Sequence, residues 1–160
     1  MRWFRFAVLA CLATVLQAGF LASLKIRPDL LLILLVFFAI YCSTTDAIIT
    51  SFTIGFAADL IGRTMGPQMI SFGLFGTLLA YLRRAITIRE MPYQALAIFV
   101  TGLLAGALAH CLNLLTGEPT APNIYRVTFG MALYSSIVGP FLFLPIAWWM
   151  HIKTRRSGRR

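Results

Sequence analysis

The amino-acid sequence predicts an all-α protein, a polytopic bundle of helices in a membrane. Of its 160 residues, 59% are hydrophobic and only 12% are charged, about half the charged share of a soluble domain. The mean hydropathy is +0.84, and apolar runs of membrane-spanning length recur along the sequence. These observations predict a single transmembrane domain over residues 1–150 and a basic tail over residues 151–160.

Charged and helix-breaking residues divide the apolar sequence into six predicted helices. They span residues 6–23, 30–42, 47–61, 68–82, 93–116 and 127–150. The first resembles a signal peptide in following Arg2 and Arg5, but no hydrophilic mature domain comes after it, so we expect an uncleaved helix. Pro28 separates it from the second helix. Pro140 and Pro145 predict a kink in the sixth.

The boundary between the second and third helices follows from length. As one helix, the sequence from Leu30 to Ile61 would be about 48 Å long, whereas the hydrocarbon core of a bilayer is about 30 Å thick. The run from Ser43 to Asp46 contains side chains that cap helix N-termini, so we place the break there. Two short membrane spans result.

The distribution of basic residues predicts the topology. With six spans and a cytoplasmic N-terminus, ten of the fourteen basic residues lie on the cytoplasmic side, as the positive-inside rule requires. A five-span model with an external N-terminus gives the same distribution, but it needs the overlong helix and the export of Arg2 and Arg5. We therefore expect six spans in the bacterial cytoplasmic (inner) membrane, with both termini cytoplasmic.

The net charge of +9 does not predict a nucleic-acid partner, because the basic residues sit at chain ends and between apolar runs. Five of them are predicted to anchor the protein to lipid headgroups at the cytoplasmic face. They are Arg83, Arg84, Lys153, Arg155 and Arg156. The cysteines Cys11, Cys42 and Cys111 show no metal or disulfide spacing and are predicted to be small buried hydrophobic residues.

No arrangement of residues resembles a catalytic set. The sequence contains no HExxH motif, no carboxylate pair at helical spacing and no serine beside a histidine or lysine in any span. We therefore expect a protein that is not an enzyme and that binds no metal and no cofactor.

Asp59 and His110 are the two ionisable residues within predicted spans that most require an explanation. Asp59 either pairs with Arg63 four residues later or points inward to bind a partner or another helix. Asp59 and His110 lie at similar predicted depths, so a direct contact between them is a further hypothesis. Gly102 and Gly106 have the spacing of a helix-packing motif, which would accept either a helix of this chain or a partner's helix.

The motifs in the first half of the chain resemble the bacterial rod shape-determining protein MreD family. Arg27, Pro28 and Asp29 open an aliphatic span, and Gly55, Asp59, Gly62 and Gly66 follow with the family's spacing. The short early spans and the basic C-terminus are also similar. Phe56, Ala57 and Ala58 depart from the further glycine and leucine that such proteins often carry around the aspartate, and the second half has no matching motif.

The resemblance implies a fold, a function and partners. The implied fold is the six-helix bundle of energy-coupling-factor transporter substrate subunits. The implied function is that of a scaffold in cell elongation, supporting cell-wall peptidoglycan synthesis and rod shape. It would bind the bitopic protein MreC and, indirectly, MreB, RodA and a penicillin-binding transpeptidase. Pro28, Asp29, Gly55, Asp59, Gly62 and Gly66 would shape the outer surface where MreC docks, with His110 nearby.

The fold analogy also supplies the alternative function, a membrane subunit that binds a small molecule such as a vitamin for uptake. Polar residues in the predicted outer loops, including Asp29 and Asn123, favour it. Trp3, Trp148 and Trp149 lie at the predicted cytoplasmic ends, as in an interfacial belt rather than a ligand pocket.

Overall fold

The computed structural model describes residues 3–19, 28–62, 66–83, 91–115, 117 and 124–150. Within these residues it contains six α-helices and no strand. The helices are α1 (Trp3–Ala18), α2 (Leu30–Tyr41), α3 (Thr44–Ile61), α4 (Pro67–Leu82), α5 (Met91–Leu115) and α6 (Ile124–Met150). The prediction of an all-α fold is confirmed.

Helix ends follow local capping chemistry. α3 begins three residues before its predicted start because Ser43 Oγ accepts the N–H of Asp46 at 3.2 Å, which places the cap ahead of Ala47. α6 continues through Pro140 and Pro145 as one helix. Three helical segments are long and apolar enough to cross a membrane: Thr44–Ile61, Pro92–Leu115 and Tyr125–Trp149. The apolar helices α1, α2 and α4 are shorter, so the six-span arrangement remains a proposal.

The centre of the bundle is α2. All nine residues from Leu31 to Ala39 are at most 3% exposed, and α2 contacts each of the other five helices. A helix buried on every face needs no amphipathic pattern, and the sequence of α2 is uniformly apolar. Its 12 residues reach only about 18 Å, so α2 is shorter than the helices that surround it.

The closest helix pair is α3 with α4, and glycines permit the approach. A Cβ at Gly55 would lie 2.7 Å from Met69 Cα, and a Cβ at Gly76 would overlap the hydroxyl of Ser51. Hydrogen at these positions lets the two backbones come together, as in other closely packed membrane helices.

Gly102 and Gly106 serve the same purpose on α5. A Cβ at Gly106 would overlap Thr128 Cγ2 of α6, and a Cβ at Gly102 would lie 2.7 Å from Leu32 Cδ2 and 3.3 Å from Ala132 Cβ. Both glycines therefore face helices of the same chain.

The cysteine prediction is wrong for two of the three residues. Cys11 and Cys111 are exposed at the bundle surface, and Cys42 is half-buried. An apolar surface contacts lipid in a membrane protein, so the hydrophobic surroundings that the sequence implies do not require burial within the protein.

Candidate functional site

The polar groups of the bundle gather at its two ends. We call the end that holds the C-termini of α1, α3 and α5 and the N-termini of α2, α4 and α6 the cleft end. Arg5 and Arg83 lie at the opposite end, where each donates to a helix carbonyl: Arg5 Nη1 to Trp149 O at 3.0 Å and Arg83 Nη1 to Ile40 O at 2.9 Å. A cation at a helix C-terminus satisfies carbonyls that lack partners within the helix. The predicted anchors Arg84, Lys153, Arg155 and Arg156 lie outside the described residues.

Asp59, at the last turn of α3, caps the N-terminus of α4. Its side chain is 3% exposed. Its Oδ2 accepts the N–H groups of Gly66 and Met69, both at 2.9 Å, and its Oδ1 accepts that of Gln68 at 3.0 Å. The first amides of a helix have no partner within the helix and need one from elsewhere. A buried carboxylate that receives three N–H groups is the partner for α4.

The residues around Asp59 complete this cap. Pro67 occupies the first position of α4, where a residue without an N–H leaves no donor unsatisfied. Gly66 has a φ of +116°, a conformation that favours glycine. The N–H of Ile70 then bonds Gly66 O at 3.0 Å, which starts the regular helix.

The spacing of Gly55 and Asp59 now has a physical explanation. One turn before the carboxylate, Gly55 lets α3 touch the α4 backbone at Met69, so Asp59 reaches the α4 amides directly. Gly62 is exposed, with a φ of −72°, and nothing in the structure requires glycine there. The predicted partner Arg63 lies outside the described residues.

Asp29 holds the N-terminus of α2 together with residues of α1 and α6. Its Oδ1 accepts the N–H of Leu32 at 3.1 Å and the Nε2–H of Gln17 at 3.0 Å, and its own N–H donates to Ser135 Oγ at 2.7 Å. Gln17 Oε1 accepts the N–H of Leu31 at 3.2 Å. Pro28, just before, is buried. These bonds tie three helices together at one point.

Gln17 and Ser135 form hydrogen bonds in this network. Neither was among the site residues predicted from the sequence. A glutamine inside the apolar first helix is a signal that could have singled out Gln17, since a polar side chain in a membrane helix needs a partner. Ser135 carries a weaker signal because serine satisfies itself within helices, as Ser136 does by donating to Leu133 O at 2.7 Å.

A cleft of about 170 Å³ lies beyond the N-terminus of α2, between α4, α5 and α6. Its polar lining residues are Asp29, Gln68, His110, Asn113 and Thr128. Leu32, Phe72, Met131 and small residues of α5 and α6 form the rest of the wall. Asp29 and His110, two of the predicted site residues, therefore face one cavity.

His110 lies beside Tyr125 at this cleft. The two rings meet edge to face, with centroids 5.4 Å apart and planes at 79°. His110 Nδ1 is buried and has no hydrogen-bond partner among the described residues. No hydrogen bond joins His110 to Asp59 in the described part of the chain, because both oxygens of Asp59 bind the α4 backbone. The predicted direct contact is therefore not a hydrogen bond among the described residues.

The fold and its polar groups are those of a small helical membrane protein in which buried side chains fix helix ends. The model of the family described as rod shape-determining protein MreD matches residues 1–153. The chain belongs to the MreD family, and the resemblance seen in the sequence is confirmed. It is thus a membrane component of the rod-shape machinery, from a family of structural, shape-determining proteins. Comparisons with curated proteins and with solved structures find no match.

Proposed function

We propose that this protein is a non-enzymatic scaffold of the bacterial elongation machinery that binds MreC with its cleft end. It lies in the cytoplasmic membrane with six spans and cytoplasmic termini. Through MreC it connects to MreB, RodA and the penicillin-binding transpeptidase, and so supports peptidoglycan synthesis and rod shape. One observation carries the proposal: two acidic residues of the cleft end, Asp29 and Asp59, hold backbone amides in place. Such a site is a shaped surface rather than a reactive centre.

Two arginines support the proposed orientation. Arg5 and Arg83 lie at the end opposite the cleft, and basic residues concentrate on the cytoplasmic side of membrane proteins. The cleft end then faces outward, where the extracytoplasmic part of a bitopic partner begins.

The geometry also assigns the predicted docking residues different tasks. Asp59, Gly55 and Gly66 give the α3–α4 end its shape and would act on a partner indirectly. Asp29 and His110 line the cleft and are placed for direct contact.

The test is capture of full-length MreC, co-expressed in the same membranes and purified in mild detergent. We expect the wild-type protein to retain MreC, and Asp59→Ala to lose most of it per folded molecule because the α4 cap is released. Asp46→Ala is the matched carboxylate control, since Asp46 lies in the first turn of α3, at the end of the helix opposite Asp59. Folded wild-type protein that retains no MreC would contradict the proposal.

The alternative function, small-molecule uptake, is favoured by the polar lining of the cleft but not by its size. Ligand pockets have volumes of about 300–1,000 Å³, whereas this cleft measures about 170 Å³. The volume therefore favours a scaffold over a vitamin-binding subunit.

A further inference from the structure

The cleft exists because α2 starts deep in the bundle. The N–H of Asp29, which precedes α2, bonds Ser135, the twelfth residue of α6. At 1.5 Å per residue, α6 therefore continues for about 16 Å beyond the start of α2. α4 and α5 stand beside this extension, and their side chains line the cleft with those of α6. The floor of the cleft is the capped N-terminus of α2.

The size of the cleft limits what it can hold. A volume of about 170 Å³ is smaller than the about 300–1,000 Å³ of ordinary ligand pockets. Most metabolites need more space than that. One amino-acid side chain inserted from a partner fits the volume.

The lining defines the chemistry of that side chain. Gln68, Asn113 and Thr128 offer amide and hydroxyl groups, and none of the described lining residues is a lysine or arginine. Asp29 also lines the cleft, but its Oδ1 already accepts the N–H of Leu32 and the Nε2–H of Gln17. His110 adds an imidazole ring to the lining. Leu32, Phe72 and Met131 add apolar wall. An uncharged side chain with an apolar body and a hydrogen-bonding tip matches both parts.

We propose that the cleft is a socket for one tyrosine or tryptophan side chain of MreC, whose polar tip bonds an amide or hydroxyl group of the lining, such as that of Gln68 or Thr128. Both residue types combine an apolar ring with one hydrogen-bonding group, and they are enriched among the anchors that dominate protein interfaces. The inference rests on the proposed function, because it names the contact by which MreC is held.

Filling the socket tests the proposal. Ala109 is 8% exposed and lines the cleft, whereas Ala107, two residues earlier on α5, is exposed on the outer surface of the bundle. We expect Ala109→Phe to reduce MreC capture at least tenfold and Ala107→Phe to leave it within twofold. Thermal unfolding in detergent establishes that both variants are folded.

Photo-crosslinking supplies a second test that does not depend on blocking the cleft. A diazirine amino acid of about the size of methionine is placed either at Met131, which lines the cleft, or at Leu133, which is 46% exposed on the same helix. We expect the probe at Met131 to crosslink MreC next to a tyrosine or tryptophan, and the probe at Leu133 to crosslink lipid. If Ala109→Phe fails to fold, the crosslinking result alone tests whether the cleft is the socket.

The outcomes separate the two proposals. If the wild-type protein retains no MreC, the proposed function fails. If Ala109→Phe folds and retains MreC as well as wild type does, the socket is overturned while MreC binding stands. A Met131 probe that crosslinks only lipid or a small molecule, with MreC still captured, also overturns the socket.

Discussion

At the scale of single residues, the two aspartates of the cleft end act as helix caps. Asp59 accepts three backbone N–H groups of the α4 N-terminus, and Asp29 accepts one from α2 and one from Gln17. A carboxylate accepts several hydrogen bonds, and bonds to a charged group are stronger than those between neutral groups. Burying an ionisable residue in a membrane protein is costly, and hydrogen bonds from the backbone offset part of this cost here.

Asp59→Asn tests this role, because the amide replaces one accepting oxygen by a donor that faces backbone N–H groups. We expect the free energy of unfolding to fall by about 1–3 kcal/mol, the cost of leaving buried donors unsatisfied. Denaturant unfolding in detergent micelles, followed by circular dichroism, measures it. Asp46→Asn, in the first turn of α3 where Asp46 is half-buried, is the control and is expected to change stability by less than about 1 kcal/mol. Equal effects of the two variants would show that Asp59 is not a cap.

At the scale of helices, the close approach of α3 and α4 positions the cap. Gly55 contacts the α4 backbone at Met69. Further along the two helices, the side chain of Ser51 packs against Gly76. The approach at Gly55 stands one turn from Asp59, so packing and capping depend on each other.

Gly55→Ala is therefore expected to cost more than the loss of one contact. A methyl group 2.7 Å from Met69 Cα forces the backbones apart, at about 1–3 kcal/mol for overpacking, and draws Asp59 away from its amides. We expect faster amide hydrogen exchange at Gln68 and Met69 than in wild type, measured by mass spectrometry. Gly62→Ala provides the matched glycine control, with wild-type exchange expected. Unchanged protection in Gly55→Ala would mean that the cap does not require the close approach.

Local features of the sequence were sufficient to predict these helices, but not their partners. Pro28, the Ser43 cap and Pro67 mark helix starts through chemistry that involves only neighbouring residues. The N–H groups that Asp59 binds belong to the backbone, so no side-chain motif predicts which groups they are. The sequence also does not predict that α2 lies at the centre of the bundle. A uniformly apolar helix in a membrane protein can contact lipid as well as other helices. Gln17 stands out in the sequence as a glutamine in an apolar helix, but its partners Asp29 and Leu31 are known only from the packing of α1 against α2.

At the scale of the whole molecule, the bundle has two unlike ends. One end carries arginines that bind helix carbonyls, Arg5 and Arg83, and the other carries the aspartate caps and the cleft. Six spans with the cleft facing outward account for this asymmetry through the positive-inside rule.

Cysteine labelling checks this orientation in intact cells. In a background where Cys11, Cys42 and Cys111 are replaced by serine, Ser43→Cys and Tyr125→Cys place single thiols at exposed positions of opposite ends. We expect a membrane-impermeant maleimide to label Tyr125→Cys from outside and Ser43→Cys only after the cells are opened. External labelling of Ser43→Cys would exclude the six-span topology.

The short central helix has a mechanical consequence. Around α2 the bundle is closely packed, since each residue of α2 from Leu31 to Ala39 is buried. Among the described residues, α5 and α6 continue beyond Asp29 and enclose the cleft. The central helix therefore fills one half of the bundle, and a side chain inserted into the cleft would extend this filling into the other half. In the proposed orientation, a pull on that side chain from outside would act next to Asp29, whose hydrogen bonds join α1, α2 and α6.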